Sequence, residues 1–235
     1  MRWRIDLHNH SCLSPCGSNL MLPAVLAIEA MDAGIDILAL TDHNSSRNLP
    51  AFAEACEIAG ISGVFGLEVT TMEEVHVLAL FEHLHDAMEF GEFIEFLLPD
   101  IRNVRELFGE QLIVDLAGEV VGELEKSLYG AADISFENLI EEVLARDGLA
   151  IPAHIDRPSN GVLSNLGFLP EVRYSALEAI RVPVMCETLG NSIIQGSDAH
   201  VIEHIGRRFC FIESERRDFQ GLKDALVNHT VTFRT

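Results

Sequence analysis

The feature that most constrains this chain is the pair His8 and His10 in Asp6-Leu7-His8-Asn9-His10, set just behind Trp3 and Ile5, which alternate with charged residues. Such alternation predicts a short strand, and side chains two apart on a strand share a face. Two imidazoles therefore converge, each offering the neutral ring nitrogen that a metal ion takes. Histidines at this spacing also occur in exposed loops, so the pair gains meaning only if the rest of the chain brings further donors to it.

A chain of 235 residues is read as one domain over 1–235. With 48% hydrophobic and only 7% aromatic residues, it suits an aliphatic α/β core. No apolar run reaches the roughly 18 residues of a membrane span. Met1-Arg2-Trp3-Arg4 leads into an acidic strand and not an apolar leader, so a cytoplasmic location is expected. The five cysteines are odd in number and are read as reduced thiols, with Cys56 in a helix core and Cys210 in a strand. The net charge of -21 repels phosphate backbones, so nucleic acid is not the expected partner. Bound divalent cations would offset part of that charge and could draw in a small phosphorylated molecule.

Taken in order, the chain alternates strands and helices. A turn-rich loop, 11–19, precedes a helix from Pro23 to about Ala33, closed by Gly34. A buried strand over 35–40 stops at Thr41-Asp42-His43. A helix over 49–59 ends at Gly60, and a strand over 62–67 ends at Glu68. This rhythm predicts a parallel sheet with crossover helices and function at the C-terminal strand ends. A strand over 75–81 begins with His76. Residues 82–148 are read as an insertion with a helix over 87–98, a hairpin within 111–124 and a helix over 136–146 capped by Ser135 or Asp133; it holds no chemical cluster and leaves room for self-association. Beyond it, a strand over 149–153 ends at His154. A helix is expected near 171–179, short strands over 182–185 (ending at Cys186-Glu187) and 192–195, a strand over 208–212, and a helix over 219–228.

Strand ends thus deliver His8, His10, Asp42, His43, Glu68, His76, His154, Asp198 and His200, which include six of the ten histidines. Any one of them has an ordinary reading as a hydrogen-bonded core residue; together they point to a metal centre. The donor types suit Zn²⁺, Mn²⁺ or Fe²⁺, and the number of donors suits two or three ions, with Glu68 as the bridge. Such ions lower the pKa of bound water and neutralise a phosphoryl oxygen.

The chain here resembles the PHP family, the polymerase-and-histidinol-phosphatase metallohydrolases. The resemblance rests on Asp6-Leu7-His8-Asn9-His10-Ser11, Thr41-Asp42-His43, Gly66-Leu67-Glu68, His76, Ala153-His154 with Arg157-Pro158, and Gly196-Ser197-Asp198-Ala199-His200. It implies a distorted (β/α)7 TIM-like barrel with an α+β insertion. It also implies one ion on His8, His10, Glu68 and Asp198, a second on Glu68, His76 and His154, and a third on His43, His200 and a residue of the loop after His10. That loop has Pro15 and Cys16 where many members have Asp and His, so Cys16 is either a thiolate ligand or the third position is empty or filled by water. Cys12 is read as packing.

Asp6 and Asp42 are expected to orient imidazoles, and Arg157 to grip phosphate, with Arg207 and Arg208 as weaker choices; Glu187, ending a strand on the same side, is read either as a substrate contact or as structural. The expected activity is hydrolysis of a small phosphate ester by a metal-bridging hydroxide, with His43, Asp42 or a bound water protonating the leaving group. An amidohydrolase-like C–N or C–O hydrolase and a non-catalytic metal-binding module are the alternatives.

Overall fold

The computed structural model describes residues 1–233. It contains β1 (Arg2–Asp6), α1 (Pro23–Asp32), β2 (Ile37–His43), α2 (Leu49–Ala59), β3 (Ser62–Thr70) and β4 (His76–Phe81), then α3 (Leu84–Leu97), α4 (Arg105–Phe108), β5 (Leu112–Val114), β6 (Val120–Glu123) and α5 (Phe136–Ala145). β7 (Leu149–Pro152), α6 (Val162–Asn165), β8 (Leu177–Glu178), β9 (Ile193–Ile194), β10 (Cys210–Glu213), α7 (Phe219–Val227) and β11 (Val231–Thr232) follow.

The main sheet runs β11-β10-β1-β2-β3-β4-β7. Backbone bonds carry it onward: Ser175 N–H donates to Ala150 O, Ile155 N–H to Glu178 O, and β8 pairs with β9. After β9 the chain returns to β1, where Asp198 N–H donates to His8 O and His10 N–H to Ala199 O. The staves are therefore β1, β2, β3, β4, β7, β8 and β9, a distorted (β/α)7-type barrel, with β10 and β11 added antiparallel beside β1. The distortion is in strand direction. β1, β2 and β3 are parallel, but β4 is antiparallel to both neighbours. Between Thr70 and His76 only a tight turn intervenes, whereas a parallel return needs about a dozen residues; the all-parallel expectation fails there. Gly66 of β3 makes the close pairing possible, since a Cβ there would collide with the Ala79 carbonyl.

Side-chain alternation separates two cores, as a barrel requires. Ile37, Ala39, Val64, Leu78, Leu80, Leu149 and Ile151 face one cluster, closed by Phe219 and Leu222 of α7. Leu38, Leu40, Leu67, Val77, Ala79 and Phe81 face the other, under α1, α2, α3 and α5. The helix signals read from sequence operate as expected: Pro23 opens α1, Gly60 ends α2 in the left-handed region, and Ser135, not Asp133, caps α5 by accepting from Asn138 N–H. The hairpin forms as β5–β6.

Two further expectations fail. Residues 171–179 are not a helix, because their backbone bonds go sideways: Leu177 N–H to Ser192 O and Ala179 N–H to Ile194 O. Residues 182–185 form no strand; Pro183 lacks a donor and Met185 is 95% exposed. Glu187 consequently lies on an exposed loop lining a separate cavity.

Candidate metal centre

The inner row of the barrel ends in ligand-type residues. Continuing Ile37-Ala39-Thr41 on the same parity gives His43; Val64-Gly66 gives Glu68; Leu80-Leu78 gives His76. Asp42 has the opposite parity and points away from this row. Its carboxylate accepts from Ser11 N–H (2.6 Å), Ser11 Oγ (2.6 Å) and Ser14 Oγ (2.7 Å). The expected direct contact of Asp42 with an imidazole is thus a relay. Ser14 Oγ donates to Asp42, accepts from His43 N–H at 3.0 Å, and lies 3.0 Å from His10 Nδ1. That network assigns the proton of His10 to Nδ1 and turns the Nε2 lone pair inward. Asp6 contacts no imidazole directly. It accepts from Ser197 N–H at 2.9 Å, and burial raises its pKa to about 6.

Glu68 is the hub. Its Oε1 lies 2.8 Å from His76 Nδ1, 3.0 Å from His154 Nε2 and 3.3 Å from His8 Nε2; its Oε2 lies 3.2 Å from His43 Nδ1 and 3.3 Å from His10 Nε2. Around His8 and His10, whose Nε2 atoms are 3.3 Å apart, Asp198 Oδ1 stands at 3.5 and 3.4 Å. Two ligands held about 2.0–2.1 Å from one tetrahedral ion are about 3.3–3.4 Å apart, so these are ligand-to-ligand edges. They are long for hydrogen bonds, and Asp198 Oδ1 is buried with no hydrogen-bond partner among the described residues. The donors fall into three groups: His8, His10 and Asp198; His43, Glu68 and His76; His10, His43 and His200. The residues fit divalent cations. Cys16 belongs to none of these groups but lines the same cavity; the residue is exposed, yet crowding of its thiol by the surrounding side chains, reinforced by the Glu68 charge, pushes it up to about 12.

The electrostatics follow from crowding. Burial opposes charge on His10, but the Asp198 and Glu68 carboxylates beside its ring outweigh it and lift its pKa to about 9. Burial would raise Glu68 and Asp198, yet the surrounding imidazoles hold both well below the usual carboxylate range. His43 and His200 go the other way; burial and the neighbouring His10 lower them, His200 to about 4.

Sequence reasoning missed Glu178. Its Oε2 receives His8 Nδ1 at 2.8 Å and His154 N–H at 2.9 Å, fixing His8 with Nε2 toward the centre. Gly196 provides the room, since a Cβ there would strike Glu178 Oε1 and His8 Cβ. A signal was present: Leu177-Glu178 repeats the Leu67-Glu68 pattern of an apolar strand residue followed by a carboxylate. Arg207 and Arg208 do not face the cavity. Their guanidiniums donate to the carbonyls of Gly196, Ser197 and Asp198 at 2.8–3.2 Å. Arg157 does face it, with Nη1 3.4 Å from Asp198 Oδ2. The five cysteines are free thiols, with Cys12 and Cys56 buried, and no helix among the described residues is long and apolar enough to cross a membrane.

The PHP domain family profile matches residues 6–151, more than half of the chain. Among solved structures, the lesion-specific endonuclease PfuEndoQ from Pyrococcus furiosus superposes with a TM-score of 0.72 at 19% identity, over 97% of this chain and 56% of that one. Endonuclease Q in complex with a 27-mer duplex bearing an abasic lesion gives 0.69 at 18%, over 97% and 57%. A Bifidobacterium adolescentis protein assigned as a metal-dependent phosphoesterase gives 0.66 at 18%, over 95% of both chains. This chain thus spans just over half the length of the two endonuclease structures. No curated protein sequence matches it. Fold and centre together define the class of metal-dependent, phosphoesterase-like barrel domains. Within that class, the chain belongs to the PHP family.

Proposed function

We propose that this protein is a metal-dependent phosphoesterase acting on a small phosphate ester. The observation that carries the reading is the Glu68 hub, a buried carboxylate touching five imidazoles at 2.8–3.3 Å. His8, His10, Glu68 and Asp198 would hold one ion and Glu68, His76 and His154 a second, with His43 and His200 available for a third. When bound, such ions supply a water of lowered pKa and charge neutralisation at phosphorus.

The chain's own groups supply the rest. Glu178 and Ser14 fix His8 and His10 so that their Nε2 atoms face the centre. Arg157, beside Asp198 and facing the cavity, receives the non-bridging phosphoryl oxygens with its planar fork. The cavity of about 440 Å³ falls at the small end of ligand pockets. With a net charge of -21, it favours a small ester over a polynucleotide, although the endonuclease relatives act on DNA.

The test is elemental analysis of the purified protein, then hydrolysis of a panel of phosphate monoesters, diesters, oligonucleotides, amides and lactones with Zn²⁺ or Mn²⁺. Turnover of small phosphate esters, abolished in the His8→Ala/His10→Ala double variant together with bound metal, is expected. Normal turnover by that variant, or turnover confined to amides or oligonucleotides, overturns the reading.

A further inference from the structure

The segment 111–132 contributes a side chain to the cavity that none of the ligand motifs contains. Tyr129 lines it together with His43, His76, Arg157 and His200. The residue is 47% exposed, although Phe108 packs against its ring, 5.3 Å between centroids. Its position is not that of a loose loop residue. Asn44, the residue after His43, donates from Nδ2 to Leu128 O at 2.9 Å and Gly130 O at 3.0 Å, on both sides of Tyr129. The same side chain accepts from Thr70 N–H at 2.9 Å through Oδ1. Buried Gln111 accepts from Leu128 N–H at 2.9 Å, and Ala132 N–H donates to Thr70 O at 2.8 Å. The backbone on both sides of Tyr129 is thus tied to the ends of β2 and β3, which carry His43 and Glu68. An aromatic ring carried on an anchored backbone beside a wet, charged cavity keeps apolar surface in water unless a ligand covers it.

We infer that Tyr129 is a specificity-determining residue whose ring stacks against a planar aromatic group on the leaving side of the phosphate ester. The inference rests on the phosphoesterase reading for the phosphate itself, but not for the ring. Arg157 and the donor cluster take the phosphoryl end; Tyr129 lines the same space and brings to it an aromatic ring on an anchored backbone. Base–aromatic stacking tolerates any planar ring, so the geometry selects aromatic over aliphatic esters without selecting one base.

The experiment is calorimetric titration of the metal-loaded protein with non-hydrolysable ligands: methylphosphonate, phenylphosphonate and the phosphonate analogue of adenosine 5′-monophosphate. Wild type is expected to bind the two aromatic ligands about tenfold more tightly than methylphosphonate. Tyr129→Ala should bring that ratio to about one, and Tyr129→Trp should keep it. Equal affinities in wild type, or a ratio that survives Tyr129→Ala, overturns the inference. A gain for the adenosine ligand alone overturns the claim that any planar ring is taken; gains for both support it. Ring-dependent binding without ester hydrolysis sinks the phosphoesterase reading and leaves this one standing, and hydrolysis without ring preference does the reverse.

Discussion

Leaving His8 and His10 aside, the two halves of the donor set are built differently. His43, Glu68 and His76 sit within β2, β3 and β4, and inner-row alternation alone aims them at one point. His154, Asp198 and His200 follow strands of two to four residues, and two of them occupy the left-handed region, His154 at φ 30° and Asp198 at φ 49°. Non-glycine residues there cost on the order of 1 kcal/mol or more and persist only when their surroundings hold them. For Asp198 the holders are Arg207 and Arg208 on the neighbouring carbonyls and Asp6 on Ser197 N–H. For His154 the holder is Glu178. A regular strand positions a ligand through its own ladder, whereas a short one needs side chains borrowed from elsewhere.

That contrast can be broken in order of expected effect. Glu68→Gln should be the most severe change. It removes the charge that five imidazoles share, so bound metal and any turnover should fall by about a thousandfold or more; metal analysis showing full occupancy would refute the hub. Glu178→Gln should act through His8 and the backbone of His154. Loss of such a supporting partner typically weakens metal binding about 10–100-fold, and competition with a chelator would measure it; an affinity unchanged from wild type would mean His8 is fixed by the metal alone.

Proton competition is the third test. In the metal-free protein His10 is raised from 6.5 to about 9, and His8 is raised as well. A histidine raised on folding contributes stability that is complete below the unfolded value and lost as pH rises through the folded one. The groups shifted downward, Glu68, Asp198, His43 and His200, have unfolded values at or below 6.5 and add no slope above it. The melting temperature of the metal-free protein should therefore fall between pH 6.5 and 9, while metal affinity rises because fewer protons must be displaced. A flat profile in both would remove the carboxylates' hold on His8 and His10.

Replacing Arg207 and Arg208 by Ala probes only the second half of the set. Each guanidinium makes two bonds to backbone carbonyls, and a net bond is worth about 1 kcal/mol. Metal affinity should drop about tenfold, with the His43, Glu68 and His76 site occupied as before. The smallest effect is expected from Cys16→Ser. Its thiol lies outside the donor groups, so metal stoichiometry should not change; loss of one ion per chain would restore Cys16 as a ligand.

The contrast also governs what could be read from the sequence. The apolar run ending in Thr41-Asp42-His43 and the Gly66-Leu67-Glu68 motif announce strands whose parity places the ligands, and so they were legible. The run around Leu177-Glu178 offered only its two-residue echo of Leu67-Glu68, too short to announce a strand. Two residues of strand carry no periodicity, and the alanines around them suit a helix equally well, so Glu178 was lost with its strand. Tyr129 carried no signal at all, because its place depends on Asn44 and Gln111 reaching across the chain.

The order of residues by itself determined the donor inventory, the strand ends that carry it and the PHP resemblance, since these depend on local alternation and short motifs. Only the folded chain decided which face Asp42 turns to, which carboxylate supports His8, and what guards the cavity. Those are outcomes of contacts between segments up to 191 residues apart, as between Ser197 and Asp6, where burial leaves each polar group the one partner that geometry brings within reach.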